Sequence, residues 1–295
     1  MVRAARHYGP TWRYMFNLSP TLSYHLRRTT LEGEAARVLH TLDRDGVAMT
    51  SAEALLGPGS CYGELCGAVE SFQALSATEI TRAQAGADDP QAIGRKTFIL
   101  EYLGRNPQFD PMSVYARFAL EKNILDVANA YLGMRSRLRC YNVWHTFPTS
   151  VAPRESQLWH RDREDYLIVK VFLYLSEVDE GAGPFTYACG SHPKGASQGE
   201  AEYLLEGNVR RSTDAQMAKV IPPEQWFKGV GPKGTIIFAD TRGYHRGGLA
   251  RERERVMYTA MFTSPASQSE EFMTAGPSFS LSLNRDQAFA IGGRR

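Results

Sequence analysis

The stretch Gln157-Leu158-Trp159-His160-Arg161-Asp162 decides how the fold of this sequence is interpreted. His160 and Asp162 lie two residues apart, and in an extended strand this spacing points both side chains to the same face. An imidazole and a carboxylate turned towards one interior make half of a metal site. A distant histidine would complete the site, and the chain offers His245.

Two imidazoles and one carboxylate on one face are the ligand set that suits iron(II) in oxygen-activating enzymes, because it leaves coordination positions open. His245 follows the first pair by 83 to 85 residues, so it is expected on a different strand across a barrel. A His-x-Asp triplet alone is common by chance. The prediction of an iron site at His160, Asp162 and His245 therefore depends on the neighbouring sequence.

Arg255 supplies that context, ten residues after His245 and at the start of an alternating strand through Met257, Thr259 and Met261. An arginine directed into a pocket is costly unless a carboxylate meets it. Its guanidinium offers two parallel donors, which suits one end of a dicarboxylic acid. The alternative is an exposed charge in the run 251–255, and we accept that interpretation for the other arginines there.

Composition excludes several classes of protein. The 295 residues are 43% hydrophobic and 22% charged, which is ordinary for a globular enzyme. A net charge of +2 makes no case for nucleic acid or an anionic membrane as a partner, and no apolar run approaches the roughly 20 residues that span a bilayer. The four cysteines lack zinc-site spacing and are expected to be reduced thiols of a cytoplasmic protein.

The order of the elements favours an α+β fold with a mainly β core. Residues 1–30 are basic and are expected to form an extension that packs on the domain rather than a targeting peptide. Residues 77–95 are predicted to be a surface or lid segment, and residues 196–229 an insertion, both at the rim of a pocket. Helical patterns cover 31–42, 52–56, 63–75 and 111–132, and strand patterns cover 47–49, 96–103, 138–147, 157–162, 167–176, 185–188, 234–240, 244–249 and 255–264.

Four motifs follow one another along the chain: Leu42 to Val47, Trp159-His160-Arg161-Asp162, Gly183-Pro184 with Gly190-Ser191-His192-Pro193-Lys194-Gly195, and Gly234 to Asp240 followed by His245 and Arg255. In this order they resemble the phytanoyl-CoA dioxygenase family of iron(II)- and 2-oxoglutarate-dependent oxygenases. The likeness covers most of the chain after residue 30. One departure follows the distal histidine, where the family often has Gly-x-Asn-x-Ser and this chain has residues 246–250 as Arg-Gly-Gly-Leu-Ala.

The resemblance implies one domain, residues 31–295, with a double-stranded β-helix of the cupin-like jelly-roll type at about 138–264 and buttressing helices. It implies that His160, Asp162 and His245 bind Fe(II) and that Arg255 holds the distal carboxylate of 2-oxoglutarate, with molecular oxygen as the second co-substrate. Asn142 is a candidate for a further 2-oxoglutarate contact, and Thr259 could flank the co-substrate. Alternation leaves open which face of strand 138–147 lines the pocket.

The implied reaction is oxidation of an unactivated C–H bond in a small-molecule or natural-product intermediate, most simply hydroxylation. Halogenases related to the family replace the carboxylate ligand by a small residue, so Asp162 favours hydroxylation, desaturation or ring closure. The alternatives are an acyl-thioester hydroxylase of the same family and a non-catalytic cupin-like binding protein. A binder would have no use for Arg255 beside a complete ligand set.

Other polar residues have simpler expected roles. His145 is expected to be a satisfied structural histidine, and His192 is expected to hold its own loop by hydrogen bonds. Arg139, Arg161 and Arg163 are candidates for binding an anionic substrate, although solvated surface charge is the simpler interpretation of each.

Overall fold

Two antiparallel sheets face each other and form the core of the protein. The computed structural model describes residues 8–89, 96–206, 209–267, 273 and 283–292. The larger sheet has the strand order β1-β9-β4-β11-β3-β2, and a smaller sheet has the order β10-β5-β8, with β6 and β7 as a separate hairpin. The strands are β1 Val47–Ser51, β2 Ile99–Glu101, β3 Arg137–Thr146, β4 Val169–Tyr174, β5 Phe185–Ala188, β6 Leu204–Glu206, β7 Val209–Arg211, β8 Trp226–Lys228, β9 Thr235–Asp240, β10 His245–Gly247 and β11 Arg255–Thr263.

Helices cover the outer face of the larger sheet, as the predicted β-helix with buttressing helices requires. Two short helical turns, Gly9–Thr11 and Trp12–Phe16, precede them. None of the described helices combines the length and apolar character needed to cross a lipid bilayer. The helices are α1 Leu18–His25, α2 Gly33–Asp45, α3 Ala52–Leu56, α4 Tyr62–Leu75, α5 Ala77–Ala85, α6 Val114–Ala119, α7 Lys122–Leu132, α8 Asp214–Ala218 and α9 Arg285–Ala290.

Strand β4 shows how the two layers of the core are built. Val171 and Leu173 point outwards and pack with the helices in the main hydrophobic cluster. Phe172 and Tyr174 point inwards and pack with Phe185 of the smaller sheet. Because both faces are covered, the strand is nearly continuously apolar, as the sequence indicated.

The turn between α2 and β1 joins the helical layer to both sheets. Gly46 adopts a left-handed conformation, with φ of 79°, directly after α2. The carbonyl of the preceding Asp45 accepts a hydrogen bond from the backbone of Gly190 at 2.8 Å. A Cβ at position 46 would overlap the Tyr187 hydroxyl and lie 2.6 Å from Nδ1 of His192, so a glycine is needed there.

The predicted single helix over residues 111–132 is wrong, because two helices stand in its place. Helix α6 begins only after Ser113, whose hydroxyl accepts from the backbone of Ala116 at 3.2 Å. Extended Glu121 then breaks the helical path, and its carboxylate accepts from the backbone of Cys61 at 2.8 Å. The predicted helix end at residue 132 is confirmed, because the next residue, Gly133, is left-handed with φ of 65°.

Residues 77–85 of the predicted surface or lid segment form helix α5, none of whose residues is buried, because this run is rich in the helix formers alanine, glutamate, glutamine and arginine. Residues 90–95 lie outside the described part, and a lid role stays a prediction. One further prediction is corrected. The stretch 157–162 is not a regular strand: Gln157 ends a short 3₁₀ turn, and only Trp159 and His160 form isolated bridges. The segment 196–229 contains the β6–β7 hairpin and α8, and its final strand β8 pairs with β5.

Candidate metal centre

His160 and His245 are brought together by backbone pairing. The two residues form an antiparallel bridge in which each backbone amide donates to the other's carbonyl at 3.0 Å. Their ring centroids consequently lie 4.3 Å apart. Asp162, two residues on, is fixed by its backbone amide, which donates to the carbonyl of Thr241 at 2.9 Å. The extended backbone thus turns His160 and Asp162 towards one interior even without a regular strand.

The three side chains converge on one point. Nε2 of His160 lies 4.0 Å from Oδ1 of Asp162, and Nε2 of His245 lies 3.7 Å from Oδ2. One potential ligand atom from each residue lies within 4.8 Å of the others. All three side chains are largely buried. The arrangement can hold a single metal ion between two nitrogens and one oxygen.

Hydrogen bonds behind each imidazole fix which nitrogen faces the centre. Nδ1 of His160 lies 2.9 Å from the carbonyl oxygen of Leu158, and Nδ1 of His245 lies 3.0 Å from that of Gly243. A carbonyl can only accept, so both Nδ1 atoms carry the hydrogen and both Nε2 atoms present a lone pair. Backbone carbonyls orient metal-binding histidines in this way in many proteins.

The protonation states also fit a metal. Burial lowers the pKa of His160 and of His245, and the neighbouring imidazole lowers that of His160 further. Burial alone would raise the pKa of Asp162, but the adjacent ammonium of Lys170 is the largest of the effects that outweigh burial and lower this pKa. At neutral pH the centre therefore offers two neutral imidazoles and one carboxylate, the forms that bind metal. Such a donor set fits iron(II).

Lys170 is a residue of this centre that sequence reasoning did not assign to the site. Its Nζ lies 2.6 Å from Oδ2 of Asp162, deep in the cavity wall. The available signal was a lysine interrupting an otherwise apolar strand, at a position where alternation places it on the same face as Phe172. Burial lowers the pKa of Lys170, but Asp162 and Glu164 more than offset this effect and raise it, so the ammonium stays charged.

The centre opens onto a cavity of about 640 Å³. The inward-facing residues of β11, from Arg255 at every second position to Met261, line one wall. Asn142 and Trp144 line the wall beside them, whereas Val143 and His145 do not. The face of β3 that the sequence left undecided is therefore the one with Asn142. Tyr141, from the opposite alternation set, also reaches the wall.

Arg255 is buried at 3% exposure in this cavity. Its Nη1 donates to the carbonyl of Gly183 and its Nη2 to the hydroxyl of Thr146 at 3.5 Å, while Nε has no hydrogen-bond partner among the described residues. Gly183 is left-handed, and a side chain there would overlap the backbone of Ala250, which explains the Gly-Pro motif. Among the described residues, Arg255 forms no ion pair with an acidic side chain. A buried guanidinium of this kind suits an incoming carboxylate.

Asn142 and Thr259 are neighbours across the β3–β11 pairing and both line the cavity. The Asn142 amide donates to the carbonyl of Gly104 at 2.7 Å and accepts from the backbone of Leu103 at 3.2 Å. It therefore anchors the loop after β2 to the cavity wall. Contact of either residue with a co-substrate stays a prediction.

Two further histidines weighed in the sequence, His145 and His192, have hydrogen-bond partners outside the metal centre. His145 bonds Tyr102 at 2.8 Å and Glu254 at 2.6 Å, on the side of β3 away from the cavity. Nε2 of His192 lies 3.1 Å from the carbonyl of Asp43. Both therefore have the structural environment that was expected of them.

The three arginines that were candidates for binding an anionic substrate differ in their positions. Arg139 bonds Thr263 and backbone carbonyls at the end of β11. Arg161 and Arg163 both line the cavity, and Arg161 stacks on Tyr244 with 3.8 Å between guanidinium carbon and ring centroid. Arg161 is half-buried, so surface charge alone does not describe it, whereas Arg163 is exposed and fits the simpler interpretation.

Comparison with solved structures gives the fold independently. EctD from S. alaskensis, in a structure with 2-oxoglutarate and 5-hydroxyectoine, matches with a TM-score of 0.52 at 16% identity, covering 88% of this chain and 87% of that chain. The chain has the fold of EctD. A structure of EctD with bound Fe also gives a TM-score of 0.52, at 17% identity over 94% of this chain and 89% of EctD. The predicted jelly-roll core with buttressing helices is confirmed.

Other comparisons are weaker. AviO1 from Streptomyces viridochromogenes Tue57 is 19% identical over 81% of this chain and 99% of its own, with a TM-score of 0.49. No protein-family model matches the sequence, and no curated protein matches it.

Proposed function

We propose that this protein is an iron(II)- and 2-oxoglutarate-dependent oxygenase that oxidises an unactivated C–H bond of a small molecule, most simply by hydroxylation. The observation that carries the proposal is the convergence of His160, Asp162 and His245 in a cavity that also contains Arg255, a buried cation with no acidic partner among the residues that the structure describes. The EctD fold supports it, since EctD structures contain Fe and 2-oxoglutarate.

Each residue has a distinct role in this proposal. His160, Asp162 and His245 would hold iron(II), and Arg255 would bind the distal carboxylate of 2-oxoglutarate. Iron(II) and 2-oxoglutarate together would supply oxygen activation, with conversion of the co-substrate into succinate and carbon dioxide. The apolar side chains of Phe172, Met257 and their neighbours would limit water around the reacting groups. Asp162 keeps the third ligand position, which favours hydroxylation or a related hydrogen removal over halogenation.

Binding of iron and co-substrate is tested without any knowledge of the substrate. Anaerobic addition of iron(II) and 2-oxoglutarate should produce a visible metal-to-ligand charge-transfer band. His160→Ala should abolish the band, whereas His25→Ala, at an exposed position, should leave it unchanged. Bound iron without the band would show that 2-oxoglutarate does not chelate the metal and would refute the co-substrate assignment.

Turnover separates an oxygenase from a cupin-like protein that only binds. Succinate production should rise with the right member of a substrate panel, and Asp162→Ala should remove this coupled succinate. The control Glu202→Ala changes an exposed carboxylate that pairs with Lys219. Coupled turnover that persists in Asp162→Ala would rule out a catalytic role for Asp162.

The charges on the cavity wall favour an acidic substrate, and this is part of the proposal. Iron(II) and 2-oxoglutarate carry equal and opposite charges, so their binding leaves the excess of cations in place. Panel compounds should be tested in pairs that differ only by a phosphate, sulfate or carboxylate group, and the panel should include acyl thioesters. Equal turnover of the neutral and the acidic member of each pair would contradict the preference for an acidic substrate. The lining cations are Lys96, Arg105, Arg161, Arg163, Lys170, Arg211 and Arg255, and the lining acids are Glu101, Asp162, Glu164 and Asp165.

A further inference from the structure

The pairing of β4 with its neighbouring strands places Lys170 in the core, although a lysine side chain has no preference for burial. It is the one charged residue of β4, and it pairs in register with Met261 on one side and Ala239 on the other. Strand alternation directs its side chain into the cavity. Only 17% of this side chain is exposed, and its Nζ lies 2.6 Å from Oδ2 of Asp162. The ammonium therefore contacts a carboxylate that we assign to the metal.

A buried carboxylate needs a compensating charge, because removing it from water is costly. Two groups can supply that charge: the ammonium of Lys170, whose Nζ lies 2.6 Å from the carboxylate, and a divalent metal ion at the convergence of the three side chains. Both would lie within a few ångströms of the same carboxylate, in a setting where like charges repel strongly.

We propose that Lys170 and the metal ion act against each other at Asp162: Lys170 neutralises and positions the carboxylate in the metal-free protein, and its charge weakens metal binding. The proposal rests on the metal site of the proposed function. It makes Lys170 a positioning residue that acts through Asp162. Its consequence is a protein that stays folded while it loses and regains its metal.

Substitution of Lys170 tests whether its charge weakens or strengthens metal binding. Lys170→Met keeps the length and removes the charge, so we expect the Kd for Mn²⁺, used as an oxygen-stable probe, to fall by about tenfold or more. Lys170→Arg keeps the charge and should bind Mn²⁺ within about threefold of the original protein. Lys122→Met breaks a surface pair with Asp126 and is the matched control, with no expected effect on Mn²⁺ binding. Anaerobic Fe²⁺ should follow the same order.

Thermal unfolding provides a second measurement that does not depend on activity. Mn²⁺ should raise the Tm of Lys170→Met by more than it raises the Tm of the original protein, because the metal replaces a missing charge. If Lys170→Met is unfolded alone but folds with saturating Mn²⁺, the proposal is supported. If it stays unfolded with Mn²⁺, the lysine has a role that the metal cannot replace, and the proposal fails.

The outcomes separate this inference from the proposed function. Lys170→Met that binds Mn²⁺ less than tenfold more tightly, or more weakly, overturns the antagonism while the metal site stands. Original protein that binds no Mn²⁺, or His160→Ala that binds it equally well, removes the metal site and with it both proposals.

Discussion

At the scale of single residues, the most informative change is Arg255→Lys. A lysine keeps the positive charge but loses the two parallel donors that match a carboxylate. Hydrogen bonds to charged groups contribute about 1.5–3 kcal/mol, so we expect the KM for 2-oxoglutarate to rise roughly ten- to hundredfold. Steady-state kinetics with varied 2-oxoglutarate measures this rise.

Two comparisons make the Arg255 result specific. Arg251→Lys alters a neighbouring arginine that bonds the carbonyl of Val151 at 2.9 Å, and it should leave the KM unchanged. Mn²⁺ affinity should stay the same in Arg255→Lys, because Arg255 does not contact the three ligands. An unchanged KM for 2-oxoglutarate would mean that the carboxylate binds elsewhere.

Four residues of the site could be predicted from the sequence, whereas the contact of Lys170 with Asp162 could not. His160, Asp162, His245 and Arg255 lie in motifs whose order along the chain indicated a common site. Lys170 could not be paired with Asp162, because the contact depends on how the stretch after β3 crosses β4 in three dimensions.

At the scale of elements, the α2–β1 turn gives a direct test of why the chain needs a glycine. Gly46→Ala should destabilise the protein by more than the roughly 1 kcal/mol expected for an alanine in a left-handed position, because its Cβ would also overlap Tyr187 and His192. Denaturant unfolding of both proteins measures the difference.

A second glycine, Gly33, serves as a control that separates backbone strain from steric overlap of the added Cβ. Gly33 also has a positive φ, of 52°, but a Cβ there would meet nothing within 4 Å. Gly33→Ala should therefore cost only the conformational strain. Equal losses for the two variants would show that packing against His192 and Tyr187 contributes nothing.

Element boundaries were predicted well where the local chemistry was decisive. The predicted start of α3 at Ala52, end of α7 at residue 132 and alternation of β11 are all confirmed. The first two are set by short-range features, the Ser51 cap and the left-handed Gly133. The break at Glu121 could not be predicted, because it depends on a hydrogen bond to Cys61, sixty residues away. The bridges at Trp159 and His160 likewise depend on distant partners.

At the scale of the whole molecule, one buried carboxyl links stability to pH. Asp240 is fully buried, accepts from the Tyr131 hydroxyl at 2.6 Å, and has a pKa raised by burial to about 6. Between about pH 4 and 6 the folded protein keeps this proton while the unfolded chain, with an ordinary pKa near 3.8, loses it. The contribution of Asp240 to stability is therefore lost as pH rises through this window.

Asp240→Asn removes that titration and nearly preserves the shape of the side chain. The unfolding free energy of the variant, relative to the original protein, should increase from pH 4 to pH 7 by up to about 3 kcal/mol. Denaturant curves at the two pH values measure the change. A difference that stays constant with pH would show that Asp240 is ionised throughout.

The amino-terminal segment, expected only to pack on the domain, reaches the stretch that carries the ligands. The Trp12 indole is 1% exposed and donates to Oδ1 of Asp165 at 2.7 Å, while Oδ2 accepts from the backbone of Ser264 at the same distance. Asp165 lies three residues after Asp162, so an aromatic anchor more than a hundred and fifty residues away in sequence braces the ligand segment. A protein shortened to begin at Leu18 keeps every ligand, yet calorimetric titration should show weaker Mn²⁺ binding; undiminished affinity would limit the anchor to a packing role. If that prediction is correct, a change at this end of the chain would also change the proposed metal site.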